Sequence, residues 1–391
     1  MNKRIKIGLF IDTFYPMIDG VVSVVDNYAK RLINYGDVTV FAPEYPGQSF
    51  DDDSLPYRVV RSKSSKLPII DYSLPMPGMD KKFKEQLDKS DLDIVHIHSP
   101  FDVGKSGIDY AQKHNIPCIA TMHSQFKQDF KRATKSDFMA NRLTDMVIKQ
   151  FNRCDESWAV NSKIAEIYYK DYKYKTLPRV MNNATEMLPL KDVELAKETI
   201  NQMHNIDKND KVFLFVGRIN NLKNIFFIAD SLKILKDKNP MKFKMLFVGT
   251  GQDEQQLKEV IAKNNMEEDI YMCGKVTDRT LLAQYFARAD LFLFPSLYDA
   301  SSIVQIEAAS QKTPSVFIEG AATSATITDN VTGFISKNDT YAFADKIIEI
   351  MENPKLYKEV SDNVFDQIYV NWDDKIKEVF NLYMKFIDEK K

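Results

Sequence analysis

The chain is poor in cysteine. Three of its 391 residues are cysteines, Cys118, Cys154 and Cys273, odd in number and far apart. That excludes a disulfide framework and any Cys-x-x-Cys metal site, and it fits a reducing compartment. No apolar run reaches about 18 residues, so no segment reads as a membrane-spanning helix. The N-terminal stretch MNKRIKIGLFIDTFYP carries an apolar part, Ile7 to Ile11, that is too short for a secretory signal and is closed by Asp12. No sign of charge dominates: the net charge is −2, so no basic field invites nucleic acid. The loop after the first apolar run lacks Gly-x-Gly-x-x-Gly, and Gly249-Thr250-Gly251 is too short to replace it, which argues against a dinucleotide-binding dehydrogenase. There is no short-period repeat and no low-complexity tract. What remains is an ordinary globular composition, 44% hydrophobic and 28% charged, over a length that suits two domains.

Strand and helix patterns alternate through both halves. Ile5 to Ile11, Val38 to Ala42, Asp93 to His98, Pro117 to Met122 and Glu156 to Val160 read as buried strands. Helical patterns lie between them at about 21–34, 102–114 and 137–153. Residues 44–90 are mixed, with Asp51-Asp52-Asp53 on the surface and a basic helix near Lys81–Lys89. Residues 181–210 turn polar and carry the connection between domains. A second series follows, with strands Val212 to Val216, Phe243 to Val248, Asp269 to Cys273, Leu291 to Phe294 and Val316 to Ile318, and helices at 221–236 and 281–287. Such alternation predicts α/β domains with parallel sheets. The tail from Trp372 reads as an amphipathic helix with Ile376, Val379, Phe380, Tyr383, Met384 and Ile387 on one face.

The candidate chemistry sits where strands end, the edge at which open α/β sheets bind ligands. In LFLFPSLYDASSIVQIEAASQKTPSVFI, Asp299 lies in the loop after a strand, and Glu307 follows in the first turns of a helix. Two carboxylates there suit a polyhydroxylated ligand, since each accepts from vicinal hydroxyls. The plain alternative is that Asp299 caps the helix and Glu307 is a solvated charge. In Gly217-Arg218-Ile219-Asn220-Asn221-Leu222-Lys223-Asn224, a strand turns into a helix whose free N–H groups attract phosphate, with Arg218 and Lys223 as cations. The alternative is a turn with two surface cations. Gly20 opens a helix, as a close-approach glycine or an ordinary turn residue. His123 follows a strand and is placed to hydrogen-bond a sugar or stabilise charge, against a structural role. His96 and His98 share a strand face without a third metal ligand and read as strand-end packing, with His98 toward the ligand edge. Lys127, Lys131, Arg132 and Lys135 interleave with Phe126, Phe130 and Phe138, as a membrane-surface patch or a solvated loop with its aromatics folded inward.

In their order these motifs resemble the retaining GT-B glycosyltransferases of sequence family 4. The match runs through Pro16-Met17-Ile18-Asp19-Gly20-Val21, Asp93-Ile94-Val95-His96-Ile97-His98, His123, Val216-Gly217-Arg218 with Lys223-Asn224, Val248 to Gly251, and Pro295-Ser296 followed by the carboxylate pair. The resemblance spans essentially the whole chain. It implies two Rossmann-like doubly wound domains facing across a cleft. The N-terminal, acceptor-binding domain covers residues 1–185, joined by a return helix at 372–391. The C-terminal, nucleotide-sugar-binding domain covers 186–371.

The resemblance also implies roles. Arg218 and Lys223 bind the donor diphosphate, aided by the Gly20 backbone. Glu307 takes the ribose hydroxyls. Asp299 and the backbone of Ala300-Ser301-Ser302 take the sugar, and His123 lies beside it. Gly249, Gly251, Gly274, Lys275 and Val276 line the donor pocket, the last three near the base. His98, Phe126, Lys131 and Arg132 face the acceptor or a membrane. The implied reaction moves a hexose from UDP-glucose or a close relative, with retention and without a metal or other cofactor, to a glycolipid, lipid-linked glycan or polysaccharide. No carboxylate beside His123 reads as a nucleophile, which favours front-face substitution guided by the leaving phosphate. The implied location is the cytoplasm at the inner face of the membrane, in contact with anionic lipid, with a homo-oligomer or a partner subunit as further expectations. Two departures fall at the sugar end. Asp299 replaces a glutamate, and Ala300-Ser301-Ser302 replaces Gly-Phe-Gly. These leave open a non-catalytic nucleotide-sugar-binding subunit, beside a sugar-nucleotide epimerase of similar fold.

Overall fold

Short apolar runs decide the architecture. Ile7, Leu9 and Phe10, and later Val212, Phe213, Leu214 and Phe215, expose none of their surface. Strands buried on both faces belong at the centre of parallel sheets covered by helices on either side. The computed structural model describes residues 4–66 and 73–391, in two units: residues 1–183 with 372–391, and residues 184–371. The part of the mixed 44–90 segment at 67–72 lies outside the described residues.

The first unit runs β1 (Ile5–Phe10), α1 (Gly20–Leu32), β2 (Gly36–Pro43), β3 (Arg58–Ser62), the antiparallel pair β4 (Ser64–Lys66) and β5 (Ser73–Pro75), α2 (Lys81–Asp88), β6 (Ile94–Ile97), α3 (Asp102–His114), β7 (Cys118–Met122), α4 (Phe126–Thr134), α5 (Asp137–Phe151), β8 (Glu156–Ala159), α6 (Ser162–Glu166) and β9 (Arg179–Val180). Its parallel sheet has the order β3-β2-β1-β6-β7-β8-β9, so the direction of winding reverses between β1 and β6. Asp12 fixes that reversal. Its buried carboxylate, beyond β1, accepts from Ser99 Oγ (2.6 Å) and from the backbone N–H of Val103 (2.7 Å) at the start of α3. A Cβ on Gly104 would sit 1.8 Å from the Ser99 carbonyl oxygen, so only glycine fits that close approach. Asp19 caps α1, accepting from Val21 N (2.9 Å) and Val22 N (2.8 Å).

The second unit runs α7 (Val193–His204), β10 (Lys211–Val216), α8 (Ile225–Lys238), β11 (Phe243–Val248), α9 (Glu254–Lys263), β12 (Ile270–Gly274), α10 (Arg279–Arg288), β13 (Leu291–Leu293), α11 (Ile303–Ser310), β14 (Ser315–Ile318), β15 (Phe334–Ser336), α12 (Thr340–Met351) and α13 (Pro354–Ile368). Its parallel order is β12-β11-β10-β13-β14-β15, and here the winding reverses between β10 and β13. Open sheets of this kind bind ligands beyond the carboxyl ends of such a reversal. The strand ends are rich in phenylalanine: Phe215 stacks on Phe294 at 5.8 Å, and Phe294 on Phe292 at 5.4 Å.

The last helix, α14 (Trp372–Lys390), belongs to the first unit. Trp372, Ile376, Val379, Tyr383 and Ile387 are buried at helical spacing, while Phe380 stacks on Tyr35 at 4.7 Å. Tyr383 Oη meets His96 Nδ1 at 2.5 Å, and Tyr28 lies edge-on to Trp372, His96 and His98. The helix therefore supports the histidines from behind.

Some of the structure departs from the sequence expectations. The polar stretch at 188–210 holds the helix α7, with Asp192 as its cap. Inside 44–90, β3 pairs with β2 as the outer strand of the sheet. It was hidden because its sequence, Arg58-Val59-Val60-Arg61-Ser62, has only two apolar residues. The basic stretch before 137 is the helix α4 rather than a loop. All three cysteines are free, although Cys118 Sγ and Cys154 Sγ lie 3.7 Å apart.

Ile376→Ala removes a side chain with no exposed surface at the centre of the α14 contact. It should lower the unfolding free energy of the first unit by about 2–5 kcal/mol. Both tryptophans of the chain, Trp158 and Trp372, are in that unit, so tryptophan fluorescence in urea reads it. A loss below about 0.5 kcal/mol, the size of an ordinary surface substitution, would show that α14 is not part of the core.

Candidate functional site

The loops after β10 and β13 are neighbours because their strands are. Ser296 joins them, its hydroxyl donating to Leu222 O (3.3 Å), and Asn224 Nδ2 donates to Pro295 O (3.3 Å). Lys223 comes from a single turn at Asn221–Lys223, after which α8 begins. Its ammonium forms an ion pair with Asp299 Oδ1 and lies 5.8 Å from the centroid of Phe294. The other Asp299 oxygen, Oδ2, is buried and has no partner among the described residues. A buried carboxylate oxygen without a donor is costly unless a ligand supplies one. Asp299 does not cap α11: Ser302 does, its Oγ accepting from Gln305 N (3.1 Å).

Arg218 is exposed, and its guanidinium has no hydrogen bond or ion pair among the described residues. Asn224 caps α8 through its backbone only, so the first-turn N–H groups of α8 receive no side-chain cap. That leaves a cation and a helix N-terminus open at one loop, the usual setting for an anion. Asn220 Oδ1, Gln305 Nε2 and Thr323 Oγ1 are also buried without partners among the described residues.

Glu307 is not a solvated charge. It is 6% exposed, and Arg279 Nη2 pairs with its Oε1. Arg279 Nε also lies 3.6 Å from Glu186 Oε1. Burial pushes the Glu307 carboxyl above its ordinary range, and Arg279 draws it back part of the way. Neither Arg279 nor Glu186 was singled out from the sequence. Asp278 capping α10 marks where Arg279 sits, but no spacing rule links it to a carboxylate 28 positions on.

The glycines divide. A Cβ on Gly249 would lie 1.9 Å from Gly217 O, and one on Gly251 would lie 2.1 Å from Ile219 O. These two therefore let the loop after β11 pack against the loop after β10; within the unit their role is support for the Arg218 loop. Gly274 is left-handed at φ +69°, with open space around a Cβ. Gly20 also faces open space, so no contact within the protein demands a glycine there. Lys275 is exposed and Val276 half-buried. Ser301 and Ala300 are half-buried between Asp299 and the α11 cap.

In the first unit, His98 Nδ1 meets His123 Nε2 at 3.0 Å, and His96 Nε2 meets Thr121 Oγ1 at 2.7 Å. Burial lowers all three imidazoles, His123 to about 3, so each is neutral at pH 7. A neutral His123 offers an N–H rather than a positive charge. His98, expected to face the acceptor or a membrane, is 3% exposed and stands behind His123. Phe126 is half-buried, edge-on to Phe101 (5.6 Å). Lys131 and Arg132 are exposed and pair with Asp137 (2.8 Å) and Asp129 (3.6 Å). Among the described residues no group of three or more His, Cys, Asp or Glu could hold a metal ion, and no helix is long and apolar enough to cross a membrane.

Two doubly wound parallel sheets of this kind define the GT-B class of α/β fold. HepE of Anabaena in complex with UDP superposes with a TM-score of 0.78 at 14% identity, covering 97% of this chain and all of that one. The family model described as Glycosyltransferase Family 4 matches residues 18–186, and the one described as Glycosyl transferases group 1 matches residues 196–367. The chain belongs to this family and is a glycosyltransferase. Among its relatives, the alpha-monoglucosyldiacylglycerol synthase of Acholeplasma laidlawii is 24% identical over 98% of both chains. The enzyme of the same name from Streptococcus pneumoniae is 24% identical over 79% of this chain and 70% of its own.

Lys223→Ala would leave both Asp299 oxygens unpaired. It should destabilise the second unit by about 1–3 kcal/mol, the cost of an unsatisfied buried group. Lys223→Met combined with Asp299→Leu should recover most of that loss, because both charges are then gone. Calorimetric unfolding reads both variants. An equal loss in the double variant would contradict a buried, mutually dependent pair.

Proposed function

We propose that the protein transfers a hexose, from UDP-glucose or a close relative, with retention of configuration and without a metal, to a glycolipid or lipid-linked glycan at a membrane surface. The observation that carries this reading is the unpartnered Asp299 oxygen beside Lys223, at the reversal between β10 and β13. It leaves an acceptor for a sugar hydroxyl next to cations suited to a diphosphate. Glu307 offers a second buried carboxylate for the ribose diol. In the reaction the bond between the sugar C1 and the diphosphate oxygen breaks, and its electron pair stays with the diphosphate. Arg218, Lys223 and the α8 N-terminus stabilise that charge. The acceptor oxygen bonds to C1 on the face being vacated, and its proton passes to the departing phosphate oxygen.

The first unit is assigned to the acceptor, with the neutral His123 as an N–H donor to a hydroxyl. Two relatives named as alpha-monoglucosyldiacylglycerol synthases support a lipid acceptor. So does the surface of α5, where Phe138 (71% exposed), Met139 and Met146 stand among the exposed Lys135, Arg142 and Lys149. The same helix exposes Asp137 and Asp145, but exposed apolar side chains with cations beside them suit the boundary of an anionic bilayer. On this reading the enzyme works at the inner face of the cell membrane. The Asp299 and Ala300-Ser301-Ser302 departures favour one other reading, a subunit that binds nucleotide sugar without turning it over.

Lys223→Ala and Glu307→Ala should each lower kcat/KM for transfer from UDP-glucose by about 100-fold or more. Near-wild-type transfer in either variant would refute its assignment, and nucleotide binding without any turnover in the wild type would favour the subunit reading. The wild type should cosediment with vesicles containing phosphatidylglycerol. Neutralising Lys131 and Arg132, or changing Phe138→Ser with Arg142→Gln, should weaken that binding. Wild type that stays in the supernatant would contradict the membrane assignment.

A further inference from the structure

The Glu307 carboxylate receives one hydrogen bond among the described residues, from Arg279 Nη2 to its Oε1, which leaves Oε2 for a ligand. The charged groups acting on it are Arg279, at the start of α10, and Glu186, on the segment entering the second unit. α13 also carries Lys355, Glu359 and Asp366, and of the charges on the elements around α11 only Arg279 acts on Glu307. Asp278 of α10 is taken up by its own helix N-terminus, and Asp362 of α13 is paired with Lys312 and Lys358. Arg279 is 45% exposed at its side chain, so a salt bridge of purely structural value here would be weak.

We propose that Arg279 is a positioning residue for the nucleotide: its guanidinium, fixed between Glu186 and Glu307, holds the Glu307 carboxylate oriented and ionised so that it accepts from the vicinal hydroxyls of the ribose. The inference rests on the reading of Glu307 as the ribose-binding group. The chemistry requires the ionised form. A carboxylate accepts at both oxygens, whereas the acid turns one of them into a donor. Desolvation drives Glu307 toward the acid, and Arg279 opposes it. Glu186 Oε1 lies 3.6 Å from Arg279 Nε, a second carboxylate beside the guanidinium, and its charge works with desolvation against the ionised Glu307. The sign follows. A group whose carboxyl is raised loses its ionised form as pH falls through that raised value, and ribose recognition is lost with it. Removing Arg279 raises the carboxyl further, so the loss must begin at higher pH.

The test is isothermal titration of the full chain with UDP, GDP and ADP to find the tightest ligand. That ligand and its 2′-deoxy counterpart are then compared from pH 5 to 8.5, for wild type, Arg279→Lys and Arg279→Met. Wild type should prefer the ribonucleotide about tenfold at pH 7.5, the scale of one hydrogen bond to a charged group. Arg279→Met should lose that preference, with its acid limb moved up by about one pH unit. Arg279→Lys should restore most of it, which separates lost charge from misfolding. If wild type discriminates and Arg279→Met does so equally, with the same pH profile, the inference is overturned while the ribose reading stands. If wild type does not discriminate, the ribose reading fails and the inference falls with it.

Discussion

The structure depends on how two carboxylates are kept at the end of a parallel sheet. Asp299 and Glu307 lie on either side of the α11 cap, one 17% exposed at its side chain and the other 8%. Carboxylates so little exposed need countercharges or several hydrogen-bond donors. Lys223 and Arg279 supply the countercharges, one from the loop after β10 and one from the start of α10. Each pairing engages one oxygen and leaves the other. Both carboxylates therefore keep an oxygen able to accept from a hydroxyl. The phenylalanines at the strand ends add a floor: Phe294 supports Lys223 and packs on Phe215 and Phe292.

The first unit solves the same problem of a strand-end site with neutral groups. Its reversal between β1 and β6 is held by Asp12, whose carboxylate is consumed by a hydroxyl and backbone N–H groups and offers nothing to a ligand. What remains at the edge is the imidazole of His123, backed by His98, while α14 supports His96 through Tyr383. Burial keeps these rings uncharged. A neutral donor suits a hydroxyl acceptor, where the cations of the second unit suit a diphosphate.

Much of this was legible in the sequence, for physical reasons. Strands buried on both faces are continuous apolar runs, and Val212–Val216 and Leu291–Phe294 could not be mistaken. Carboxylates and cations after such runs mark the ligand edge. Outer strands and paired helices are less visible. β3 has one buried apolar side chain, Val60, and α7 packs on α10 with a largely polar sequence. Longest-range pairings were invisible. Nothing in the spacing joins Lys223 to Asp299 or Arg279 to Glu307, because those contacts come from strand order, which sequence alone does not state. The same reason explains Gly249 and Gly251. The resemblance sets them beside the donor, and the strand order also makes them the contact that holds the Arg218 loop.

The account predicts where a nucleoside diphosphate settles. The most direct measurement is a crystal structure with UDP bound. The account requires the diphosphate within hydrogen-bond distance, about 3 Å, of Arg218 or Lys223, and the ribose hydroxyls on Glu307. UDP lodged away from the β10–β13 reversal, with Glu307 touching nothing but Arg279, would contradict it.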